Sequence, residues 1–361
     1  MKIYMNGSDT THWIDPSTDA RWDTFVENHP DGTIYHHSSW KEVIEQSFGY
    51  SPLYRVLEDN TGRIRSAFPV FLTRGLLSGK RLVSLPFSDY CNVLVESEDD
   101  LGLILQEIVE SPPARSSGQL RICLRDCIFD MRRHGFTTGS IFKNHLLHID
   151  RPIDDIWDRV IDGSRRRNVN TAVRAGLSIF CTDGDPGGSM EEFYTMHVLT
   201  RRKHGLPPLP RRFFENVGRI LGPRGMASLL LARAEHRAVS GMILLRFKDT
   251  LYCLSNASLE NRLDMRPNDL LWWEGIRIAE KEGLRSFDFG RTSPANEGLL
   301  SFKRKWGTVE KDIVHWVLPL RGRIKEEGKG VGNSRLLQGI VRRVPSKLLR
   351  VGGQLLYKHL V

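Results

Sequence analysis

Cysteines and long apolar runs are both scarce in this sequence. Its five cysteines form an odd count without a C-x-x-C pair, so we predict reduced thiols, no disulfide framework and no metal site. No apolar run approaches the roughly 18 residues that a membrane span needs. The polar segment from Met1 to Trp13 also lacks the apolar core of a signal peptide. These absences predict a cytoplasmic protein.

Net basic charge is nearly absent from the body of the chain. The whole sequence carries +9, whereas residues 321–361 hold ten Lys and Arg against two Glu, a net charge of +8. A basic nucleic-acid surface spread over the body is therefore not predicted. In this tail, apolar residues recur every three or four positions between the basic ones, which favours an interfacial helix on the anionic inner face of a membrane. The alternative is a C-terminal helix packed on the protein body.

The chain of 361 residues is too long for one ordinary core, and its apolar pattern divides into two similar halves. Each half shows helices, a hairpin of long strands, a further helix and two more strands. This order predicts an α/β fold of two tandem domains, each with a mixed, largely antiparallel sheet flanked by helices. The predicted domains span residues 1–150 and 151–320, and the basic tail spans residues 321–361.

The segment F-D-F-G-R at residues 287–291 has the pattern of a strand that ends at a functional site. Apolar residues alternate with Asp288 and are followed by Gly290, as in a short buried strand that stops at a glycine. Asp288 and Arg291 would then lie together at the strand end. The alternative is an ordinary strand-end turn that contains an acid.

The segment G-L-L-S-F-K-R-K-W-G at residues 298–307 predicts one or two helical turns soon after that strand. Its apolar residues share one face at spacings of three and four, namely Leu299, Phe302 and Trp306. Lys303 and Arg304 are predicted to point away from this face. Lys303 would then either reach the strand end or form part of a basic helix surface.

Together the two segments resemble the signature of FemAB-like proteins, in which F-K-x-x-W-G follows the strand. FemAB-like enzymes use aminoacyl-tRNA to add amino acids to peptidoglycan precursors. The sequence is also similar to BioF2-like acetyltransferase domains found with polysaccharide genes, and its element order is that of GNAT acyltransferases in tandem. The resemblance covers most of the second domain. In the first domain, only the topology is similar. It implies that an amine of a nucleotide- or lipid-linked cell-envelope or polysaccharide precursor attacks an activated acyl group.

The resemblance also assigns roles to residues of the two segments. Lys303 matches the family lysine that stabilises the developing oxyanion, as fixed positive charge in a dry site can do. Phe302 matches the aromatic residue beside that lysine and is interpreted as a packing residue of the substrate site. Asp288 would accept the amine proton or orient Arg291. For Lys303 and Asp288 the alternative is a structural salt bridge.

Further candidate substrate-binding residues lie outside the two segments. Arg165 and Arg166, on a short basic helix, are suited to charge-assisted bonds with phosphate, unless the helix only presents a solvated basic face. Arg201 and Lys203 fall in a pattern like T-x-x-R-x-G-F, which by resemblance borders the acceptor channel. Lys203 stands at the arginine of that pattern and cannot form a bidentate fork. Asn256 is also predicted to bind substrate.

The turn at residues 260–268, E-N-R-L-D-M-R-P-N, contains no glycine, and Asn268 is predicted to cap the helix that follows. A CoA-dependent GNAT enzyme needs a glycine-rich turn here, whose backbone N–H groups hold a pyrophosphate. The co-substrate is therefore predicted to be aminoacyl-tRNA or acyl-CoA, with no bound cofactor. Two alternatives stay open, namely a CoA-dependent N-acetyltransferase of an amino sugar in exopolysaccharide synthesis and a non-catalytic module of a polysaccharide assembly complex.

Overall fold

The computed structural model describes residues 10–75, 79–125, 127, 129–183, 188–321 and 335–357. The chain forms two compact units, and it passes from one to the other after Ile141 and again after Lys311. Residues 335–357 belong to the second unit. These bounds differ from the predicted ones near residues 150 and 320, because two strands, at residues 137–148 and 309–319, each begin in one unit and end in the other.

The helices and strands are numbered in chain order. Those before the first change of unit are β1 (Thr10–Ile14), α1 (Arg21–Asn28), α2 (Ser38–Phe48), β2 (Ser51–Glu58), β3 (Ile64–Gly75), β4 (Gly79–Val83), α3 (Glu98–Glu110), α4 (Pro112–Arg115), β5 (Gln119–Arg125) and β6 (Thr137–His148), which spans the change. Those that follow are α5 (Ile153–Asp155), α6 (Gly163–Arg174), β7 (Ser178–Thr182), α7 (Ser189–Lys203), α8 (Arg211–Asn216), β8 (Ala227–Ala234), β9 (Arg237–Phe247), β10 (Thr250–Ser258), α9 (Pro267–Lys281), β11 (Ser286–Thr292), α10 (Glu297–Arg304), β12 (Val309–Pro319), α11 (Arg335–Arg343) and α12 (Ser346–Tyr357).

The first unit is built on strands in the order β1-β2-β3-β4-β5-β12. Neighbouring strands pair antiparallel, except β4 with β5, which pair parallel. The predicted hairpin is present as β2 and β3. Helix α3 begins where the Ser97 side chain accepts a hydrogen bond from the backbone N–H of Asp100. Its buried face, which includes Leu101, Ile104 and Ile108, closes the core of this unit.

The second unit contains strands in the order β6-β11-β10-β9-β8-β7. All of these pairs are antiparallel except β10 with β11. Helix α9 crosses between β10 and β11 and buries Leu271 and Ile276 in the same core as Phe287 and Trp306. Because a right-handed crossover helix is needed to join two parallel strands, this helix fixes where β11 starts.

The parallel strands β10 and β11 pair over only their first residues. Thr250 to Tyr252 lie opposite Ser286 to Asp288, and β10 then has a bulge between Cys253 and Ser255. Beyond this point β10 continues beside β9, and β11 continues beside β6. The sheet therefore opens between β10 and β11 at their carboxyl ends, where ligands of α/β proteins commonly bind.

Helix α9 does not begin as predicted from Asn268. The helix starts at Pro267, and Arg266, with φ of 58°, is the residue before it. Proline at the first helical position is favourable because its missing N–H would have no partner there. The side chain of Asn268 instead accepts a hydrogen bond from Ser240 and donates one to Ser258. The cap prediction was therefore wrong.

The described part of the tail consists of α11 and α12, which contact α7. Leu349 is buried, and Arg350 forms an ion pair of 2.6 Å with Glu191 while its guanidinium lies 5.4 Å from the ring of Tyr194. Part of the predicted tail, at residues 322–334 and 358–361, lies outside the described residues. Across the described part of the chain, no helix combines the length and apolar character required to cross a bilayer.

Candidate active site

The end of β11 is shaped by Gly290. Its φ of 75° lies in the left-handed region, and the pairing of β11 with β6 shifts register between Asp288 and Arg291. In a regular strand, consecutive carbonyl groups point in opposite directions. Here the irregular backbone lets one ammonium group reach two of them, because Lys303 Nζ lies 2.8 Å from the Gly290 oxygen and 3.4 Å from the Arg291 oxygen. A glycine fits this conformation without the steric cost that a side chain would add.

Lys303 is 4% exposed and faces this strand end. The prediction that it points away from the buried face of the helix was wrong. The Asn296 side chain caps α10 by accepting a hydrogen bond from the Leu299 N–H. From that start, Leu300 and Lys303 share the inward face, while Leu299 remains 36% exposed. The hydrogen bonds to two carbonyl groups offset the desolvation of the ammonium group.

Asp288 lies in the same strand end and is almost fully buried. Its Oδ1 accepts a hydrogen bond of 2.7 Å from Asn144 Nδ2 and one of 2.8 Å from the Gly290 N–H. Arg291 is exposed, and its guanidinium lies 5.1 Å from the ring of Phe142. Asp288 thus holds the turn that presents both carbonyl groups to Lys303.

The W-G pair that ends the motif fixes α10 in place. Trp306 is fully buried, and Gly307 has a φ of 78°. A Cβ atom at residue 307 would collide with Val160 Cγ1. The backbone N–H of Asp162 also donates to the Lys305 oxygen at 2.9 Å. The motif therefore needs a glycine here so that α10 can approach the segment before α6.

Arg165 extends from α6 into a partly buried cluster. It forms an ion pair of 2.8 Å with Asp269, and its guanidinium lies 5.1 Å from the ring of Phe302. Asn168 donates a second hydrogen bond to Asp269 at 3.3 Å. Burial raises the pKa of the Asp269 carboxyl above its usual value, and the positive charge of Arg165 opposes this rise. Phe302 is thus held between Arg165 and the aromatic core at Trp272.

The next residue, Arg166, lines an open cleft of about 540 Å³ between the start of α6 and α10. The cleft is lined by four basic residues, two acids and three others, namely Arg159, Arg166, Arg304, Lys305, Asp158, Asp162, Val160, Ile161 and Ser301. Arg166 lies 3.2 Å from Asp158, and Arg304 donates to both oxygens of Glu310 at 2.7 and 3.0 Å. These bonds from Arg304 lower the pKa of Glu310.

The other predicted binding residues have contacts elsewhere. Arg201, on α7, donates to the Pro207 oxygen at 3.0 Å, and Lys203 lies 2.8 Å from Glu260. Asn256, on β10 beyond its separation from β11, donates to the Gly241 oxygen at 3.1 Å. The structure therefore places Lys303 and Asp288 at the same turn of β11 and sets Arg165 against Phe302, the neighbour of Lys303 on α10. Arg166 lies in the adjoining cleft.

Sequence reasoning missed several residues that shape this site. Asn144 holds Asp288, Asp269 binds Arg165, and His145 and Thr308 lie beside the end of α10. A histidine within the apolar strand H-L-L-H-I at residues 145–149 was the available signal for His145. Among the described residues, no group of three or more His, Cys, Asp or Glu side chains is placed to hold a metal ion.

Known proteins share both the sequence pattern and the fold. Residues 163–304 match the family described as acetyltransferase (GNAT) domain. Lipid II:glycine glycyltransferases of Staphylococcus epidermidis and Staphylococcus haemolyticus are each 21% identical to this chain, over 81% of it and 88% of their own length. The crystal structure of FemX, at 16% identity, superposes with a TM-score of 0.67 over 84% of this chain and 96% of that one. In sequence and in fold, the chain is similar to FemAB-like proteins.

The predicted tandem fold is confirmed as well. A tandem GNAT protein from the clavulanic acid biosynthesis pathway, 10% identical, superposes with a TM-score of 0.59 over 88% of this chain and all of that one. In this chain, the matched GNAT segment runs from the start of α6 to the end of α10. It therefore includes both ends of the site, Arg165 and Lys303. The predicted class, an acyltransferase, is also the class named by the family description and by the staphylococcal relatives.

Proposed function

We propose that this FemAB-like chain transfers an aminoacyl or acyl group to an amine of a peptidoglycan precursor. One observation carries the proposal, namely the placement of the Lys303 ammonium group at the end of β11, buried and held by the Gly290 and Arg291 carbonyl groups. The acceptor class follows from the staphylococcal relatives, whose names specify lipid II and glycine. The opening between β10 and β11 supplies the adjoining space.

The reaction needs little more than positioning and positive charge. The amine nitrogen forms a bond to the acyl carbon, and the carbonyl oxygen becomes an oxyanion that the Lys303 charge stabilises in a dry site. The bond from the acyl carbon to the leaving oxygen or sulfur then breaks, and that atom takes up the proton that the amine loses. Asp288 is proposed to accept this proton from the amine and to pass it to the leaving atom. Its hydrogen bonds with Asn144 and Gly290 fix where the carboxylate lies.

The cleft beside α10 suits the phosphate groups of a nucleotide- or lipid-linked acceptor. Arg166 lines it from α6, and Arg304 and Lys305 line it from the end of α10, so their side chains can converge on one anion. Their acidic partners Asp158 and Glu310 are exchangeable surface partners that phosphate oxygens can replace. Arg165, in contrast, forms a partly buried ion pair with Asp269, and its proposed role is to hold Phe302 beside Lys303.

The N-terminus of α9 favours aminoacyl-tRNA over acyl-CoA as the donor. A CoA pyrophosphate in a GNAT enzyme needs free N–H groups and positive potential at this helix start. In this chain Pro267 removes one N–H, and the buried carboxylate of Asp269 lies in the first turn. A second anion placed there would meet electrostatic repulsion. The donor is therefore proposed to bind without a pyrophosphate at this position.

The test is transfer by the purified full chain from two donors. Labelled aminoacyl-tRNA and acetyl-CoA are each incubated with a lipid-linked or nucleotide-linked peptidoglycan precursor and, separately, with amino-sugar acceptors. Lys303→Met serves as the blank, and product masses are measured. We expect an aminoacyl mass increment on the precursor from aminoacyl-tRNA. Acetylation of an amino sugar from acetyl-CoA would support the exopolysaccharide enzyme instead, and no transfer from either donor would favour the non-catalytic module.

We further propose that the tail contacts an anionic membrane surface. Among the described side chains of α11 and α12, Ile340 and Leu348 are 57% and 63% exposed, and Arg342, Arg343 and Lys347 are exposed among them. Residues 335–357 contain no acidic residue. Each basic side chain near an anionic surface adds about 1 kcal/mol to binding. Because Leu349 and Arg350 already hold α12 on α7, this surface is presented by a folded segment.

Co-sedimentation with vesicles tests the membrane contact. The full chain is compared with a variant in which Arg342, Arg343 and Lys347 are all changed to Gln, on anionic and on neutral vesicles. Arg350 is left in place because it holds the helix on the body. We expect the wild type to pellet with anionic vesicles at low salt, and the variant to remain in solution. Equal pelleting of the two proteins, or binding that salt does not weaken, contradicts the proposal.

A further inference from the structure

His145 is a fully buried residue of β6 that the proposed reaction does not use. Its Nδ1 lies 3.3 Å from Thr308 Oγ1 and 3.8 Å from Glu310 Oε1. Its Nε2 is buried and has no hydrogen-bond partner among the described residues. A buried polar atom without a partner is uncommon and calls for an explanation.

The neighbouring hydroxyl determines which nitrogen of His145 carries the proton. Thr308 has one hydroxyl proton, and it donates that proton to the Lys303 carbonyl oxygen at 3.1 Å. At the contact with His145, the hydroxyl must therefore accept, and Nδ1 must donate. The carboxylate of Glu310 near Nδ1 favours the same arrangement. A neutral imidazole has a single N–H, so Nε2 carries a lone pair.

The surroundings of His145 keep the imidazole neutral. Burial lowers its pKa to about 4, the positive charges of Lys303 and Arg304 act in the same direction, and Glu310 opposes them. A protonated imidazole would place a second positive charge beside Lys303. A neutral imidazole can instead hold Thr308, and through it the last turn of α10, without changing the charge of the site.

We propose that His145 is a positioning residue for Lys303, acting as a neutral imidazole that donates from Nδ1 to Thr308, which in turn holds the Lys303 carbonyl group. The role rests on the proposed function, because the position of Lys303 matters for the rate only if Lys303 stabilises the oxyanion. A displacement of about 1 Å in such a group can lower the rate by up to about 10²-fold. The effect should fall on kcat, since His145 is fully buried.

The first test is independent of activity. Nitrogen NMR of the full chain labelled in histidine, with His145→Asn used to assign the signal, reports which ring nitrogen is protonated at pH 7. We expect the Nδ1–H tautomer, with Nε2 unprotonated. An Nε2–H tautomer or an imidazolium at pH 7 overturns the proposal, whether or not the enzyme assay gives product.

The second test is a double-mutant cycle on kcat, measured with aminoacyl-tRNA and the precursor. We expect His145→Ala and Thr308→Val each to lower kcat by about tenfold or more, with little change in KM. The double variant should be no slower than either single variant, because each single substitution already breaks the same contact between residues 145 and 308. His145→Asn, which retains an N–H near the position of Nδ1, should stay within about threefold of wild type, and His148→Ala on the exposed side of β6 is the matched control.

The outcomes separate this proposal from the proposed function. Wild-type kcat in His145→Ala and Thr308→Val, or effects that multiply in the double variant, would overturn the positioning role while leaving Lys303 catalytic. A loss of activity that only follows a loss of folded protein, measured by thermal unfolding, would also overturn it. If the wild type transfers nothing, the proposed function fails, and the NMR result still decides the state of His145.

Discussion

Helices α6 and α10 each contain a pair of adjacent basic residues, Arg165 with Arg166 and Lys303 with Arg304, whose two members lie in different regions. Arg165 and Lys303 enter the partly buried layer beneath the helices, whereas Arg166 and Arg304 line the open cleft. The inner residues have partners fixed by the fold, and the outer ones have acids at the surface. Consecutive helical positions lie about 100° apart, so this separation is expected geometrically. Two basic residues that are adjacent in sequence can therefore have separate roles, one within the buried layer and the other in the open cleft.

The inner layer should respond to substitution far more than the cleft. A buried cation that loses its partner, or a partner that loses its cation, leaves an uncompensated charge. A surface cation that is removed exposes its acid to water at little cost. Substitutions of neighbouring residues therefore test the assignment of each region.

The largest effect is expected at Lys303. Lys303→Met should lower kcat by about 10²-fold or more, because it removes the positive charge at the oxyanion. Methionine has a similar length and removes a buried charge together with two hydrogen bonds, so the free energy of unfolding should change by no more than about 2 kcal/mol. Arg304→Met should keep kcat within about threefold and raise KM. Steady-state kinetics check both, and near-normal kcat in Lys303→Met would remove Lys303 from the mechanism.

The pH dependence of stability tests the inner layer a second way. Since the pKa of His145 is lowered to about 4 in the folded protein, the unfolded chain binds more protons as the pH falls. Stability linked to His145 is thus fully present above pH 6.5 and is lost as the pH falls towards 4. We expect a loss of about 2 kcal/mol between pH 7 and pH 5.

Urea unfolding of the wild type and of His145→Asn at both pH values measures this loss. The pKa of His197 is lowered to about 3, mainly by burial. The stability linked to His197 is therefore lost over the same pH range in both proteins. The difference between the two therefore isolates His145. Identical pH dependence of the two proteins would show that His145 is not held neutral by the fold.

The third effect separates Arg165 from Arg166. Arg165→Gln should lower the free energy of unfolding by about 2 kcal/mol, because it leaves the buried Asp269 without its cation. Arg166→Gln should change the free energy of unfolding by less than about 0.5 kcal/mol.

The pH dependence of the Arg165→Gln effect gives a further check. Since the pKa of Asp269 is raised by burial, the stability linked to Asp269 is present at low pH and is lost as the pH rises through that pKa. The loss in Arg165→Gln should therefore be smaller at pH 4 than at pH 7, and equal losses at Arg165 and Arg166 would erase the distinction.

The smallest effect belongs to the cleft. Arg166→Gln and Arg304→Gln should each raise KM for a phosphate-bearing acceptor by about threefold to tenfold, with kcat nearly unchanged. Arg277, an exposed residue of α9 paired with Glu274, provides a matched control as Arg277→Gln. If all three variants have the same KM, the cleft does not hold phosphate.

Sequence patterns were sufficient for the strand and helix that carry the motif. The alternation in Phe287 to Gly290 correctly predicted a buried strand, although β11 continues past the glycine to Thr292, and the F-K-x-x-W-G segment correctly predicted a short helix. The direction of Lys303 was not predictable from apolar spacing, because two carbonyl groups of a distorted strand draw it inward. In a helix of eight residues, such contacts outweigh a weak periodicity.

Partners supplied by distant strands were also beyond local patterns. Asn144 contacts Asp288 across 144 positions of sequence, and nothing near either residue indicates that pairing. Likewise, the N-cap prediction at Asn268 failed because the neighbouring Pro267 already occupies the first helical position. Local signals specify where elements lie, whereas the register between strands depends on how the whole sheet assembles.

The pairing of β6 with β11 also has a consequence for synthesis of the protein. Asn144 leaves the ribosome long before Asp288, and at about 5 to 20 residues per second the delay is roughly 7 to 30 seconds. Throughout that interval the apolar β6 segment around Leu147 is without the strand that covers it. The nascent chain therefore carries an unsatisfied strand edge for many seconds, which makes this segment a natural substrate for chaperones that bind extended apolar peptides.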